Sequence, residues 1–524
     1  MKKFIIGFLI LFVIVGGFSL WFYTAKSTAT VYESESYTVS LESSTALKTS
    51  FRNEKTRTVE NTVDVIRLFD LDLFGKSVGT YEIVERTLGN GNVFLFERMQ
   101  YDGWIPLKVN AVFAFHEEAE LQWTDWNPIA VEHPHHDVFG VDPTINPFGR
   151  VTTSEKDLLV GHTFISTQLE RQYDNGKESV LRELQKESRD VTVDSGTIVK
   201  AFTIGRGELA ESWSLVSDEP LFTSGDEEAA FIDFALHNQE SQLNWLTIDG
   251  PYTKLPFSID PATKMGYGRA IGRIEDDVAL DWFGQSASVF FESMVLNSRV
   301  NLQTYIGEFD GTRWPTEYTS TWLNNAYGVK APYVDTRYNE YVAFFLDQTA
   351  ELFKDEVENP ALYVPVYADY LLSRVEAEEI IETENGYLIV DYFDEDPSTS
   401  ITHASLNHEL GGLKILLSAY GETGEDKYLT AAESVIAGIQ SFGAADGGWI
   451  RDNGDLWYQA RPDGTFSGDD YPQLTLVDLL ETQKLLEDLA LPRVDYFDDM
   501  IASKLTYLED EGLELIEKVT RLLD

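Results

Sequence analysis

The sequence predicts an α+β multidomain chain with an N-terminal membrane anchor, a β-rich sandwich or barrel, and a C-terminal α/α toroid, a barrel of paired helices. Three observations carry this. Residues Phe4 to Tyr23 hold no charge. Short alternating runs separated by Gly-containing turns follow, and after about Asn301 the apolar spacing lengthens to that of a helix. The expected boundaries are 1–25 for the anchor, 26–45 for a stalk, 46–300 for the β-rich domain and 301–524 for the toroid.

The anchor follows from length. Twenty uncharged residues at about 1.5 Å each span a bilayer core of about 30 Å. Lys2 and Lys3 before the segment and the acidic chain after it place the bulk of the protein outside the cell membrane. Trp21, Phe22 and Tyr23 form an interfacial belt, which favours an uncleaved single-pass anchor over a cleaved signal. The Ser/Thr/Glu-rich stretch beyond it reads as a stalk with some extended structure.

Strands are expected at Thr62–Leu68, Val93–Phe96 and Ile198–Ile204, where β-branched and aromatic residues alternate with polar ones between Asn-Gly or Gly-Arg-Gly turns. A helical insertion is expected near Lys177–Glu187. In the C-terminal part, Arg337–Lys354 carries an aromatic stripe, and a second helix runs from Asn359 or Pro360 to about Val375. Leu406, Leu410, Leu413, Leu417 and Tyr420 then line one face of a helix stopped by Gly421 and Gly424. Its partner runs from Glu425 to Gln440, and a Leu-rich helix from Leu474 to Ala490. Successive helical hairpins of this kind suggest part of a toroid.

Composition excludes several function classes. With 40 basic and 88 acidic side chains the net charge is −48, which repels nucleic acid and anionic membrane surfaces. Such a surface suits salty surroundings, where short Debye lengths screen it. Cysteine is absent, so no disulfide, thiolate metal site or cysteine nucleophile exists. No nucleotide fingerprint is present; Gly266-Tyr267-Gly268 lacks the flanking strand and helix. Four of the eight histidines lie between His116 and His136, beside Glu117, Glu118, Glu132 and Asp137. That run reads as a polar cleft loop rather than a zinc site, no cofactor is required, and Ca2+ is the candidate structural ion.

The polar clusters of the helical part point to chemistry. Asp391, Asp394, Glu395 and Asp396 crowd the loop before Pro397. Asp446-Gly447-Gly448-Trp449-Ile450-Arg451 and Trp457-Tyr458-Gln459-Ala460-Arg461 mix aromatics with charges in glycine-punctuated loops, where binding groups tend to sit. The order Phe393-Asp394-Glu395-Asp396-Pro397-Ser398-Thr399-Ser400, Ala404-Ser405-Leu406-Asn407, Gly421-Glu422-Thr423-Gly424, Tyr458-Gln459-Ala460-Arg461 and Asp469-Asp470-Tyr471 resembles the C-terminal domain of the glucuronyl C5-epimerase family. The resemblance covers roughly the last 140 to 190 residues, and the chain departs from the pattern at Asp396, where the family carries tyrosine.

This resemblance implies an outward-facing isomerase that inverts C5 of hexuronic residues in a glycosaminoglycan-like polysaccharide, and a homodimer. It assigns Glu395 as the base that removes the C5 proton and Tyr471 as the acid on the opposite face. Arg461 and Tyr458 would steady the carboxylate as enolate-like charge develops. Asn407, Trp449 and Arg451 are the candidates for sugar binding. The same base and clamp would serve a uronate lyase. An inverting glycoside hydrolase using Glu395 or Asp396 with Asp469 or Asp470 is a further alternative, as is a non-catalytic glycan-binding or envelope-assembly protein.

Overall fold

A computed structural model describes residues 26–116, 121–126, 149–154, 156–194, 196–242, 244–255, 258–269, 271–358, 360–396 and 398–524. The expected anchor at 1–25 and the histidine run at 132–137 lie outside these residues. Among the described residues no helix is long and apolar enough to cross a membrane. Over the described residues the expected fold class is corrected to a large part of open β-sheets followed by a helical part, with no membrane-crossing helix among those residues.

The chain divides into two compact units. One comprises residues up to Arg171 with Val180–Asn301 and Asp355–Glu358; the other comprises Gln172–Ser179, Leu302–Lys354 and Asn359–Asp524.

In the first unit a five-stranded sheet runs in the order Ser27–Glu33, Tyr37–Ser43, Leu107–Phe115, Thr197–Ile204, Asp190–Asp194. The stretch read as a stalk thus supplies its first two strands, Ser27–Glu33 and Tyr37–Ser43. A larger sheet runs from Leu47–Val59 through Thr62–Leu73, Lys76–Thr87, Val93–Tyr101 and Glu208–Ser217 towards Asn244–Thr247. Alternation does the folding here. Every second residue of Tyr37–Ser43 is buried, and Val39, Leu41, Leu71, Ile83, Leu95 and Val109 from both sheets share one core. Each such side chain contributes roughly 1.5–3 kcal/mol by leaving water. The sheets stay open. Leu47–Val59 and Asn244–Thr247 end the path without pairing to each other, so the β part is not a closed barrel.

Lys177–Glu187 does not form the expected helix. Glu178–Ser188 is a strand, with Ser179, Leu181 and Leu184 buried. Its Leu, Glu and Lys content favours helix locally, but neighbouring strands on both sides satisfy its backbone and override that preference.

The helices are α1 (Gly225–Gln242), α2 (Ile271–Ile274), α3 (Asp277–Ser286), α4 (Val289–Gly307), α5 (Thr321–Tyr327), α6 (Thr336–Leu352), α7 (Tyr363–Glu376), α8 (Leu406–Thr423), α9 (Asp426–Ser441), α10 (Leu474–Asp488), α11 (Asp495–Asp510) and α12 (Glu517–Leu523). In the second unit α8 packs against α6, α7, α9 and α10. It is buried on every side from Leu406 to Leu417, beyond the single stripe that its leucines suggested. Gly421 lies within α8, and Gly424, at φ +70°, ends it in the left-handed region that glycine favours.

Charge holds the centre together. The Arg337 guanidinium donates to both oxygens of Asp478 at 2.8 and 2.9 Å and to Glu340 at 2.7 Å, and Lys414 reaches Asp478 at 2.8 Å. Residues of α6, α8 and α10 are thereby locked at their N-terminal halves. α9 lies against the strand Tyr387–Ile389 through Gly438, whose missing Cβ would stand 2.1 Å from the Tyr387 carbonyl oxygen. Because the obstacle is backbone, Gly438→Ala is expected to cost about 2–3 kcal/mol of stability. Urea unfolding checks this, and an unchanged midpoint would show that α9 shifts freely.

Candidate active site

The site forms where the heads of α6, α8 and α10 come together, around a loop whose centre is Asp391. Asp391 is fully buried (0% exposed). Its carboxylate accepts the Ser405 amide at 2.6 Å and the Ser405 hydroxyl, and lies 3.0 Å from His403 Nε2 and 3.7 Å from His408 Nε2. Its main-chain carbonyl accepts the amide and hydroxyl of Thr336 at the start of α6, both at 3.0 Å. Burial works to raise the Asp391 carboxyl, but His408, His403 and Ser405 outweigh it and hold the group below its usual value.

That depression fixes the sign of a pH effect. The unfolded pKa is about 3.9, and the folded one is lower. The stability Asp391 contributes is complete above the unfolded value and is lost as pH falls through the folded one. Ser405→Ala, which removes one donor, should move the acid-unfolding midpoint upward by roughly half a pH unit. Circular dichroism across pH 2–5 checks it.

His403 hands the charge outward. Its Nε2 faces a carboxylate and so carries the proton, which leaves Nδ1 to accept from the Tyr327 hydroxyl at 3.0 Å. Tyr327 is the last residue of α5, placed there because Gly328, at φ +83°, stops the helix. Burial raises the Tyr327 phenol; the Arg461 guanidinium opposes this, and Asp391 adds to it. An aspartate, a histidine and a tyrosine therefore form one hydrogen-bonded chain running from the interior to the surface.

Aromatic rings wall this chain. Trp322, Tyr327, Tyr392 and Tyr458 surround the His403 ring at 5.7, 5.6, 5.9 and 6.5 Å. Trp322 is 51% exposed and offers a face to a sugar ring. Tyr458 comes from the strand Trp457–Ala460, whose Ala460 pairs with Ala404 and whose Gln459 pairs with Ser405. Tyr471, 46% exposed, meets Tyr458 edge-on at 5.6 Å. Lys504, itself fully buried, fixes that position: it donates to the Tyr471 carbonyl at 2.9 Å and pairs with Asp455 at 2.5 Å and Asp470 at 2.8 Å. Arg461 is exposed, and its guanidinium makes no salt bridge among the described residues.

The Tyr458 ring thus lies between those of Tyr471 and His403, and the Arg461 charge acts on the Tyr327 phenol. The structure sets Glu395 elsewhere: 50% exposed, it pairs with Arg313 at 2.8 Å and Arg374 at 3.8 Å. Asp396 accepts from Ser398 N at 2.9 Å and from Asn175 at 2.5 Å, and the Ser398 backbone foremost holds its carboxyl at about 2. Of the expected sugar-binding residues, Trp449 and Asn407 are buried and Arg451 is partly exposed. Trp449 is a core residue at 0% exposure, donating to the Ile439 carbonyl at 3.1 Å and packed on Phe466 at 4.9 Å. Asn407 is buried in the first turn of α8. Arg451 is held by Asp469 at 2.6 Å and lies over the Trp457 ring at 4.7 Å. Trp449 and Arg451 brace the loops that carry the tyrosines.

Among the described residues no group of three His, Cys, Asp or Glu side chains could hold a metal ion. A cavity of about 340 Å³, lined by residues of α8, α9, α10 and the α10–α11 link, shares no residue with the tyrosine cluster.

No protein-family profile matches the chain, and no curated protein matches it. Among solved structures it is similar to a D-mannose isomerase, with 13% identity over 46% of this chain and 57% of that one and a TM-score of 0.32. It is similar to the cellobiose 2-epimerase of Spirochaeta thermophila DSM 6192, with 12% identity over 51% and 67% and a TM-score of 0.36. It is also similar to a family 76 α-mannanase of Bacteroides thetaiotaomicron, with 15% identity over 47% and 62% and a TM-score of 0.33. The chain spans less than two thirds of the isomerase and the mannanase. All three are sugar-processing enzymes by name, and none is a glucuronyl C5-epimerase. The likenesses are weak, and nothing about the reaction follows from them.

Proposed function

We propose that the second unit is the site of a carbohydrate-modifying enzyme that removes the C5 proton of a hexuronic residue and returns it with inverted configuration. The observation that supports this is the Asp391–His403–Tyr327 chain ending beside the Arg461 guanidinium. A C5 hydrogen next to a carboxylate is weakly acidic, so its removal needs a strong base and a cation on the carboxylate. Tyr327 supplies the base once its proton passes to His403, whose imidazolium the Asp391 carboxylate stabilises, the logic by which a buried acid and a histidine activate a hydroxyl. Arg461 takes the carboxylate in a bidentate fork. Tyr471, whose ring meets that of Tyr458 edge-on, is the donor for the return of the proton. Trp322 stacks on the sugar.

This reading moves the base from Glu395, which is engaged by two arginines, to Tyr327. The test is incubation of the full chain with a glucuronate-containing polysaccharide in heavy water at high salt. Deuterium at C5 without chain cleavage is the expected result. An ultraviolet-absorbing unsaturated product would make the enzyme a lyase, new reducing ends would make it a hydrolase, and affinity without turnover would make it a binding protein.

A further inference from the structure

Glu395 occupies a site of its own. Arg313 and Arg374 converge on a single oxygen of its carboxylate, at 2.8 and 3.8 Å, from side chains only 15% and 19% exposed. Both guanidinium carbons lie 5.3 Å from the centre of the Tyr370 ring, one on each count a cation–π contact. Tyr370 and Arg374 stand four residues apart on α7 and so share a face. The Tyr370 hydroxyl is buried, with no hydrogen-bond partner among the described residues. A buried donor left unused is costly, and two arginines flanking it make a setting for an oxyanion.

The occupant is held less firmly than the site. Asp394 on one side accepts from Lys177 and from the Lys330 amide at 3.0 Å, and Asp396 on the other is bound by the Ser398 amide at 2.9 Å. Glu395, between them, is half exposed, and among the described residues its side chain pairs with the two arginines. An ion pair whose carboxylate stays half in water is weakened by solvent. Rotation of one side chain releases the pair without moving the loop.

We infer that Arg313, Arg374 and the Tyr370 hydroxyl form a carboxylate-binding subsite that Glu395 fills as an internal stand-in. A uronate carboxylate of an acidic polysaccharide displaces it. The inference rests on the uronate reading above for its ligand class. It places a second carboxylate contact on the chain besides Arg461, as a polymer with a carboxylate on successive residues would use.

Calorimetric titration of the full chain with sodium glucuronate, and with its neutral methyl ester, tests this. Glu395→Gln removes the competing charge and is expected to tighten glucuronate binding about tenfold, while the ester gains nothing. Arg374→Gln is expected to abolish that gain when combined with Glu395→Gln. Equal or weaker glucuronate binding in Glu395→Gln, or equal gains for acid and ester, would overturn the subsite. Binding is read here without turnover, so absent C5 exchange together with a tightened Glu395→Gln would sink only the epimerase reading.

Discussion

Replacing Tyr327 with phenylalanine is expected to slow C5 hydrogen exchange by about 10²–10⁴-fold, the range that a positioned acid or base contributes. The ring packing around His403 survives the change, because only the hydroxyl is lost. KM should therefore move little while kcat falls, the pattern of an interaction made in the transition state. A Tyr327→Phe enzyme with more than a tenth of the parental rate would remove the phenol from the mechanism. His403→Gln tests the same chain from the other end: it should lose as much as Tyr327→Phe, and the double variant little more, since groups acting as one unit are not additive. Glu395→Gln should behave differently, lowering KM as Arg313 and Arg374 lose their shared carboxylate and keep only Asp310 and Glu379, whereas a catalytic Glu395 would show its loss in kcat.

The second large effect concerns stability. Lys504 is fully buried and neutralises Asp455 and Asp470. Burial raises the Asp470 carboxyl, and the Lys504 ammonium opposes that rise. Lys504→Met would leave Asp470 in the interior without a cation and Asp455 with only Arg451, 3.6 Å away, at a cost of about 3–5 kcal/mol. Urea unfolding should show this at pH 7. Adding Asp455→Asn and Asp470→Asn should recover most of the loss, because the penalty lies in the stranded charges and not in the missing contact. Exchange activity should fall as well in Lys504→Met, since the carbonyl of Tyr471 loses its anchor. A variant as stable as the parent would show that the three groups are hydrated.

The helical part was legible because its apolar residues recur at the helical period. Leu406 to Leu417 define α8, and Gly424 marks its end within a residue. The first unit was legible as strands for the same reason, with a period of two. What alternation does not encode is which strand lies last beside which, so an open pair of sheets and a barrel read alike. Lys177–Glu187 failed because its composition favours helix and only its neighbours make it a strand.

Around the candidate site, Tyr458, Arg461 and Tyr471 drew attention through their loops, since glycine and aromatic residues interleaved with charge mark them. Tyr327 could not, because it ends a short helix that carries no other signal. His403 and His408 had one: they are the only histidines in the second half of the chain, and both stand beside the acidic loop. Trp449 misled because a tryptophan among acids and arginines suggests an open sugar platform, whereas its ring fills the core between Phe442 and Phe466. Glu395 misled because proximity in sequence to Asp391 hides a difference in direction: Asp391 turns inward to two histidines, and Glu395 turns to two arginines.

The continuous burial of α8 has a consequence for how this protein can wear out and adapt. A helix enclosed on every side opens only when the whole unit opens, so amides of residues 408–413 should exchange with solvent at the rate set by global unfolding. The head of that helix is also the floor beneath His403 and Tyr327. The groups proposed to react therefore stand on the last part of the unit to loosen with heat, and any motion needed to admit the proposed polymer falls to the hairpin Trp457–Asp469 and to Tyr471. Substitutions that retune the substrate can accumulate in that roof, while those in the floor are paid for at once in folding.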